Sequence, residues 1–222
     1  MQPAFFVLIV AANIAVIGLI IWAVRAAEKK RTEAFCVSAS ELGLEFSAEK
    51  NDALLEKMQI FTLFNKGHSR KMKNVMTALT DVAQMSIFDY QFTTGGGQSS
   101  HTHAHTVVAM ESDSLLLASF AMHPERFFHK IGAKLGMQDI DFDSHPDFSS
   151  SFLLGGDDEE AIRELFDSTL LDFFTTRTGI SVEAKTGIFI YRRAKRVKPQ
   201  EVHALMDEAF QVYAALVQRL SQ

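Results

Sequence analysis

The chain has 222 residues, with 22 Lys and Arg against 27 Asp and Glu, a formal net charge of −5. That acidic balance excludes bulk nucleic-acid binding, which needs a basic footprint. The lone cysteine, Cys36, excludes an internal disulfide and suits a reducing compartment.

From Phe5 to Val24 run twenty residues without a charge. A bilayer core of about 30 Å needs roughly 20 helical residues at about 1.5 Å each. Asn13 is the one strongly polar side chain of the run, and Trp22 sits near its end, where an aromatic ring prefers the interface. No Lys or Arg precedes it, and Arg25, Lys29, Lys30 and Arg31 follow at once. The positive-inside bias then places the N-terminus outside and the rest of the chain in the cytoplasm. A cleaved secretory signal would need a basic leading region and an apolar core of about 7–15 residues, and this run has neither. The expected organisation is a retained, single-pass inner-membrane anchor over 1–27, a juxtamembrane helical segment over 28–60 and a soluble domain over 61–222.

Glu28 to Leu42 continues helically, with Ala34, Phe35, Ser38, Ala39 and Leu42 as a weak apolar stripe and Gly43 as a C-terminal cap. Asp52 to Met58 reads as a short helix, and Phe61 to Lys73 (FTLFNKGHSRKMK) as a turn-rich connector centred on Gly67. Strand patterns follow from Asn74 to Met122. Ser86–Phe92 and Thr106–Glu111 flank the loop TTGGGQSS at 93–100, which predicts a β-hairpin with a long tip. Leu115 to Met122 is apolar on both faces, as a covered strand is, and a short helix over Glu125–Leu135 is expected next.

Ile140 to Leu154 reads as irregular, with short strands. Asp157 is expected to cap one helix whose buried stripe is Ile162, Leu165, Phe166, Thr169, Leu170 and Phe173. Ile180–Ala184 and Ile188–Tyr191 predict a second hairpin around Lys185-Thr186-Gly187. The last helix starts near Pro199, a favoured first-turn residue, with Val202, Leu205, Met206, Ala209, Phe210, Tyr213, Leu216, Val217 and Leu220 on its apolar face. Together these give an α+β fold: an N-terminal transmembrane helix, then an antiparallel sheet with packed helices and a long C-terminal helix.

The blocks FDYQFTTGGG (88–97), HTVVAM (105–110), DIDFDSHPDFSSSFLLGG (139–156) and IYRRAKRVKP (190–199) resemble a family of bacterial proteins with an N-terminal membrane anchor and no assigned activity. The resemblance implies a bacterial inner-membrane setting and carries no catalytic residue with it.

Three patterns bear on chemistry. His101, His103 and His105 alternate, so on a strand their imidazoles share a face, and three His with an open position suit zinc. Same-face neighbours lie about 6.5–7 Å apart, too far for all three to reach one ion without a kink. Asp139, Asp141 and Asp143 open a calcium-loop pattern, but Ser144 and Ser150 occupy the places that need Gly and Glu. Asp139 and Asp141 equally suit holding a connector by accepting backbone N–H bonds.

Arg192, Arg193, Lys195, Arg196 and Lys198 put five charges into seven residues, a surface for anionic lipid or an acidic protein partner. The loop Gly67-His68-Ser69-Arg70-Lys71 has the glycine and basic side chains of an anion site but not the Walker A spacing. Cys36 reads as a packing residue or a membrane-proximal thiol. The expected function is a membrane-anchored interaction module that binds a protein partner or the membrane surface. The alternative is a metal-dependent enzyme built on the His triplet or the Asp series.

Overall fold

The structure, a computed structural model, describes residues 3–80, 83–113, 115, 117–125 and 139–220. Helix α1 is unbroken from Pro3 to Glu41. The apolar run and the segment after it are therefore one rod, and it is long and apolar enough to cross a membrane. It ends in a Schellman motif: Leu44 N–H donates to the Ala39 carbonyl at 2.8 Å and Gly43 N–H to that of Ser40 at 3.3 Å. Gly43 supplies the left-handed φ of +69° that this cap requires.

The chain then turns back into strand β1 (Glu45–Ser47) and helix α2 (Asp52–Met58), whose first turn is capped by the Asn51 side chain on Leu54 N–H. A 3₁₀ turn (Thr62–Asn65) leads into β2 (His68–Leu79), β3 (Gln84–Thr94) and β4 (His101–Glu111). Then come β5 (Phe120–Pro124), α3 (Pro146–Ser151), β6 (Phe152–Gly156), α4 (Glu159–Leu165) and α5 (Ser168–Thr175). The β7 (Ile180–Lys185) and β8 (Ile188–Arg193) hairpin, a 3₁₀ turn (Pro199–Glu201) and α6 (Val202–Leu220) complete the chain.

Among the described residues eight strands form one sheet in the order β1-β2-β3-β4-β8-β7-β5-β6, with every pairing antiparallel. Neighbouring residues face opposite ways, so both sides of the sheet carry a core. Ile87, Val108, Met110, Phe189 and Tyr191 belong to the larger core, built with α1, α3, α4, α5 and α6. Phe88, Val107, Ala109 and Ile190 belong to a smaller core closed by α2 and the Phe61–Phe64 turn. The expected α+β architecture is the one observed.

Both hairpins form as the turn residues indicate. Thr94 faces His101 across the first. Thr186 and Gly187, at φ +52° and +74°, turn the second, as a two-residue hairpin loop requires. The stripe on α1 buries Phe35 and Ala39 fully.

Within segment 28–60, Phe35, Ala39, β1, Leu55 and Met58 are part of the sheet and cores. Four expectations change. Half of the connector at 61–73 is strand β2. Register shifts between His68 and Lys71 and between Lys73 and Met76, with Ser69 and Asn74 at positive φ, interrupt its alternation. Of the described residues in Leu115–Met122, those from Phe120 onward are strand.

The helix expected after Asp157 is two helices. Asp158 caps the first through Ala161 N–H and Asp167 caps the second through Leu170 N–H. That break shifts the register, so Leu171 and Phe174 are buried where Thr169 and Phe173 were expected. Likewise on α6 the core takes Val212 and leaves Phe210 41% exposed. The helix expected over Glu125–Leu135 lies outside the described residues except at Glu125.

Candidate functional site

Among the described residues, the most heavily bonded buried polar group lies where α1 leaves the apolar run. Asp89, on β3, is 3% exposed. Its carboxylate accepts from Arg31 Nε and Nη2, both at 2.8 Å, from Arg196 Nη2 at 2.8 Å, and from Asn74 Nδ2 and Thr106 Oγ1, each at 3.0 Å. Burial pushes this carboxyl up, and the hydrogen bonds from Arg31 and Arg196 override it, leaving Asp89 at about 2.

Beside it Glu28 accepts from Arg196 at 2.7 and 3.3 Å and from Lys73. The Arg196 hydrogen bond is the main reason that Glu28 also falls to about 2. Thr32 adds a 2.9 Å hydrogen bond to Asn74 Oδ1. The left-handed φ of Asn74, 53°, is tolerated by Asn better than by most residues and sits at the β2 bulge, where extra twist re-aims a side chain. Helix α1, three strands and the β8–α6 connection are thus pinned at one point.

This clamp alters the reading of the basic tract. Arg192 is buried at 4% exposure, within the field of Glu183. Arg193 donates to Glu208 at 2.6 and 2.9 Å, and Arg196 belongs to the clamp. Only Lys195 and Lys198 of the five are exposed. A charge run in sequence does not show which members have internal partners.

The His triplet lies on β4 with its rings on one side. His103 stacks on Phe92 at 4.8 Å and meets Thr94 Oγ1 through Nε2 at 2.8 Å; His105 stacks on the same ring at 6.2 Å. His101 and His103 are exposed, whereas His105 is buried and held down at about 3, by burial first and then by Arg192. Among the described residues no group of three His, Cys, Asp or Glu side chains is placed to hold a metal ion.

In the Asp series, Asp139 accepts from Leu154 N–H at 3.0 Å and so tethers its connector to β6. The Asp141 carbonyl accepts from Arg163 at 2.9 Å. Cys36 is exposed, so it is no packing residue.

A second buried polar group escaped the sequence reading. Glu183, Ser181, Arg192, His105 and His123 share the side of the sheet next to the smaller core, with Lys66 near enough to affect their titration. His123 Nε2 lies 3.9 Å from Glu183 Oε1. Burial pushes Glu183 up and His123 down, the latter to about 3. Glu183 stands between Val182 and Ala184 in a strand buried on both faces, a polar interruption that was the available signal.

Two surface hollows flank the larger core. One, of about 470 Å³, lies between α1 (Ala34, Val37, Ser38, Glu41) and the entry to α6 (Pro199, Gln200, His203). Ser38 Oγ donates to the Pro199 carbonyl at its floor. The other, of about 710 Å³, is lined by Tyr191, Arg193, Glu208 and Gln211. There Glu208 accepts from both Tyr191 and Arg193, so its polar groups are occupied with one another.

No family model and no curated protein matches this chain. The crystal structure of the mycobacterial trehalose monomycolate transport factor A, TtfA, is similar in fold. The TM-score is 0.58 at 12% identity, covering 87% of this chain and 94% of that one.

Proposed function

We propose that this chain is a single-pass docking module of a bacterial inner membrane, facing the cytoplasm, that binds a protein partner rather than turning over a substrate. The observation that carries the reading is the continuity of α1. One helix contains both the apolar run and Phe35 and Ala39 of the core, and the Asp89 clamp fixes it to the sheet. The domain is then held at a set height and angle to the membrane, as presenting one face to a membrane partner requires.

The groove begins at Ala34, about 15 Å along α1 from Val24 at about 1.5 Å per residue, and includes Val37, which is 57% exposed. It is within reach of a juxtamembrane segment of another membrane protein. The basic flank supports the cytoplasmic orientation, and the likeness in fold to a transport factor supports, by analogy, an accessory role in transport.

The test is photocrosslinking of the full-length protein in its own membrane, with a benzophenone side chain at Val37, His203 or Leu79. Leu79, 83% exposed, ends β2 and does not line the groove. One and the same protein adduct from Val37 and His203, absent from Leu79, supports the reading. Equal labelling from all three positions, or none from the groove, overturns it.

A further inference from the structure

We propose that the tip of the β3–β4 hairpin, with the start of β2, is a second membrane contact that binds anionic lipid headgroups. This rests on α1 spanning the bilayer. Contacts along α1 and β2 advance together: Glu28 meets Lys73, Thr32 meets Asn74, and the chain beyond α1 pairs Glu45 with Thr77. The earlier part of β2 therefore points back toward the anchor. From Lys73 to His68 the paired strand β3 runs from Asp89 to Thr93, four residues or about 13 Å. From Glu28 back to Val24 is four helical residues, about 6 Å. Thr93, paired with His68, and the tip beyond it thus reach the level at which the apolar run ends.

On strands β2 to β4 charge follows the same axis. Met110, Phe189, Ala184, Phe120 and Gly156 form one row across the sheet, near its far end. Just beyond that row lie the acidic residues Glu111 and Asp113 and the run Asp157 to Glu160. At the anchor end of these strands stand Arg70 and Lys71 with His68, His101 and His103. Residues 57–80 hold no Asp or Glu, and residues 84–110 hold only Asp89, which is buried in the clamp. In a chain of net charge −5, this β2–β4 corner complements an anionic leaflet, whereas Glu125, Asp139 and Asp141 gather at the same end of β5 and β6. Each basic side chain near such a surface strengthens attraction about fivefold.

The test uses the full-length protein in vesicles of phosphatidylcholine with or without phosphatidylglycerol. In a Cys36→Ser background a fluorophore is placed at Gly96→Cys, where a side chain meets nothing within 4 Å. A second reporter at Ala12→Cys reads quenching by lipid-borne nitroxide. The expected result is that phosphatidylglycerol lowers iodide quenching at position 96 severalfold, and that high salt or Arg70→Gln with Lys71→Gln restores it. Equal quenching at position 96 in both vesicles, with Ala12→Cys lipid-quenched, overturns the headgroup contact and leaves the anchor intact. If Ala12→Cys is not lipid-quenched, the anchor reading fails and this inference with it.

Discussion

The Glu28 carboxylate and the Arg196 guanidinium are 168 positions apart in the chain and meet at 2.7 and 3.3 Å. One belongs to the helix leaving the apolar run, the other to the link between the sheet and the last helix. Their meeting closes the domain around α1. Asp89 is the more buried acceptor of the same cluster, at 3% against 34% exposure for Glu28.

Their substitutions should therefore separate. Asp89→Asn leaves Arg31 and Arg196 facing an amide in the interior, and removing one partner of a buried ion pair costs about 3–5 kcal/mol. Glu28→Gln acts on a more exposed group and should cost about 1 kcal/mol. Urea unfolding of the detergent-solubilised protein measures both. Equal effects would mean that the clamp is not centred on Asp89.

Acid should act in two stages. His105 and His123 are held near 3, against about 6.5 in an unfolded chain. The unfolded state takes up their protons first, so their contribution is complete above pH of about 6.5 and is lost as pH falls toward 3. At pH 5 the loss is on the order of 1–2 kcal/mol per histidine. Glu183, pushed up by burial, works in the opposite sense and favours folding as it takes up a proton.

Glu28 and Asp89, both at about 2, contribute fully above pH of about 4.5 and lose this as pH falls toward 2. His105→Gln with His123→Gln should flatten stability between pH 7 and 5 and leave the lower stage in place. Unfolding midpoints across that range give the answer.

The elements legible in the sequence were those with local causes. The Gly95–Ser100 tip and the Thr186-Gly187 turn announce their hairpins. Asn51 and Gly43 sit at helix ends as capping chemistry requires. Strand β2 was hidden because Arg70, Lys71 and Lys73 and two positive-φ residues break its alternation. The break at Phe166-Asp167 was hidden because the apolar period reads almost continuously across it. The clamp was illegible for a different reason: Arg31, Asp89 and Arg196 become one site only through tertiary folding. The same ignorance of partners made Arg192, Arg193 and Arg196 read as surface.

Phe35 and Val37 test how α1 is docked. Phe35 is fully buried in the larger core, with the Arg31 guanidinium 4.6 Å from its ring centre. Val37, two residues on, is 57% exposed. Phe35→Ala should cost about 3–5 kcal/mol through the cavity it leaves, and proteolysis should then cut between α1 and β1. Val37→Ala should stay within about 0.5 kcal/mol. Thermal unfolding and limited proteolysis of the two variants provide the comparison.

Gly67 and Gly96 make the sharpest contrast at the anchor end of the sheet. Gly67 sits at φ +60°, and a Cβ there would lie 2.1 Å from the Thr93 carbonyl oxygen, a backbone atom that cannot give way without disturbing the hairpin. Gly67→Ala should destabilise by well over the about 1 kcal/mol of an ordinary glycine replacement in a regular element. It should also loosen the His68–Thr93 pairing, visible as faster amide exchange at Thr93 and Thr94. Gly96 has an extended backbone, φ −159°, with open space around it. Gly96→Ala should be neutral or stabilise by up to about 1 kcal/mol, because alanine has fewer unfolded conformations to lose. A similar cost at both positions would show that the β2 start is not held against β3 as this geometry requires.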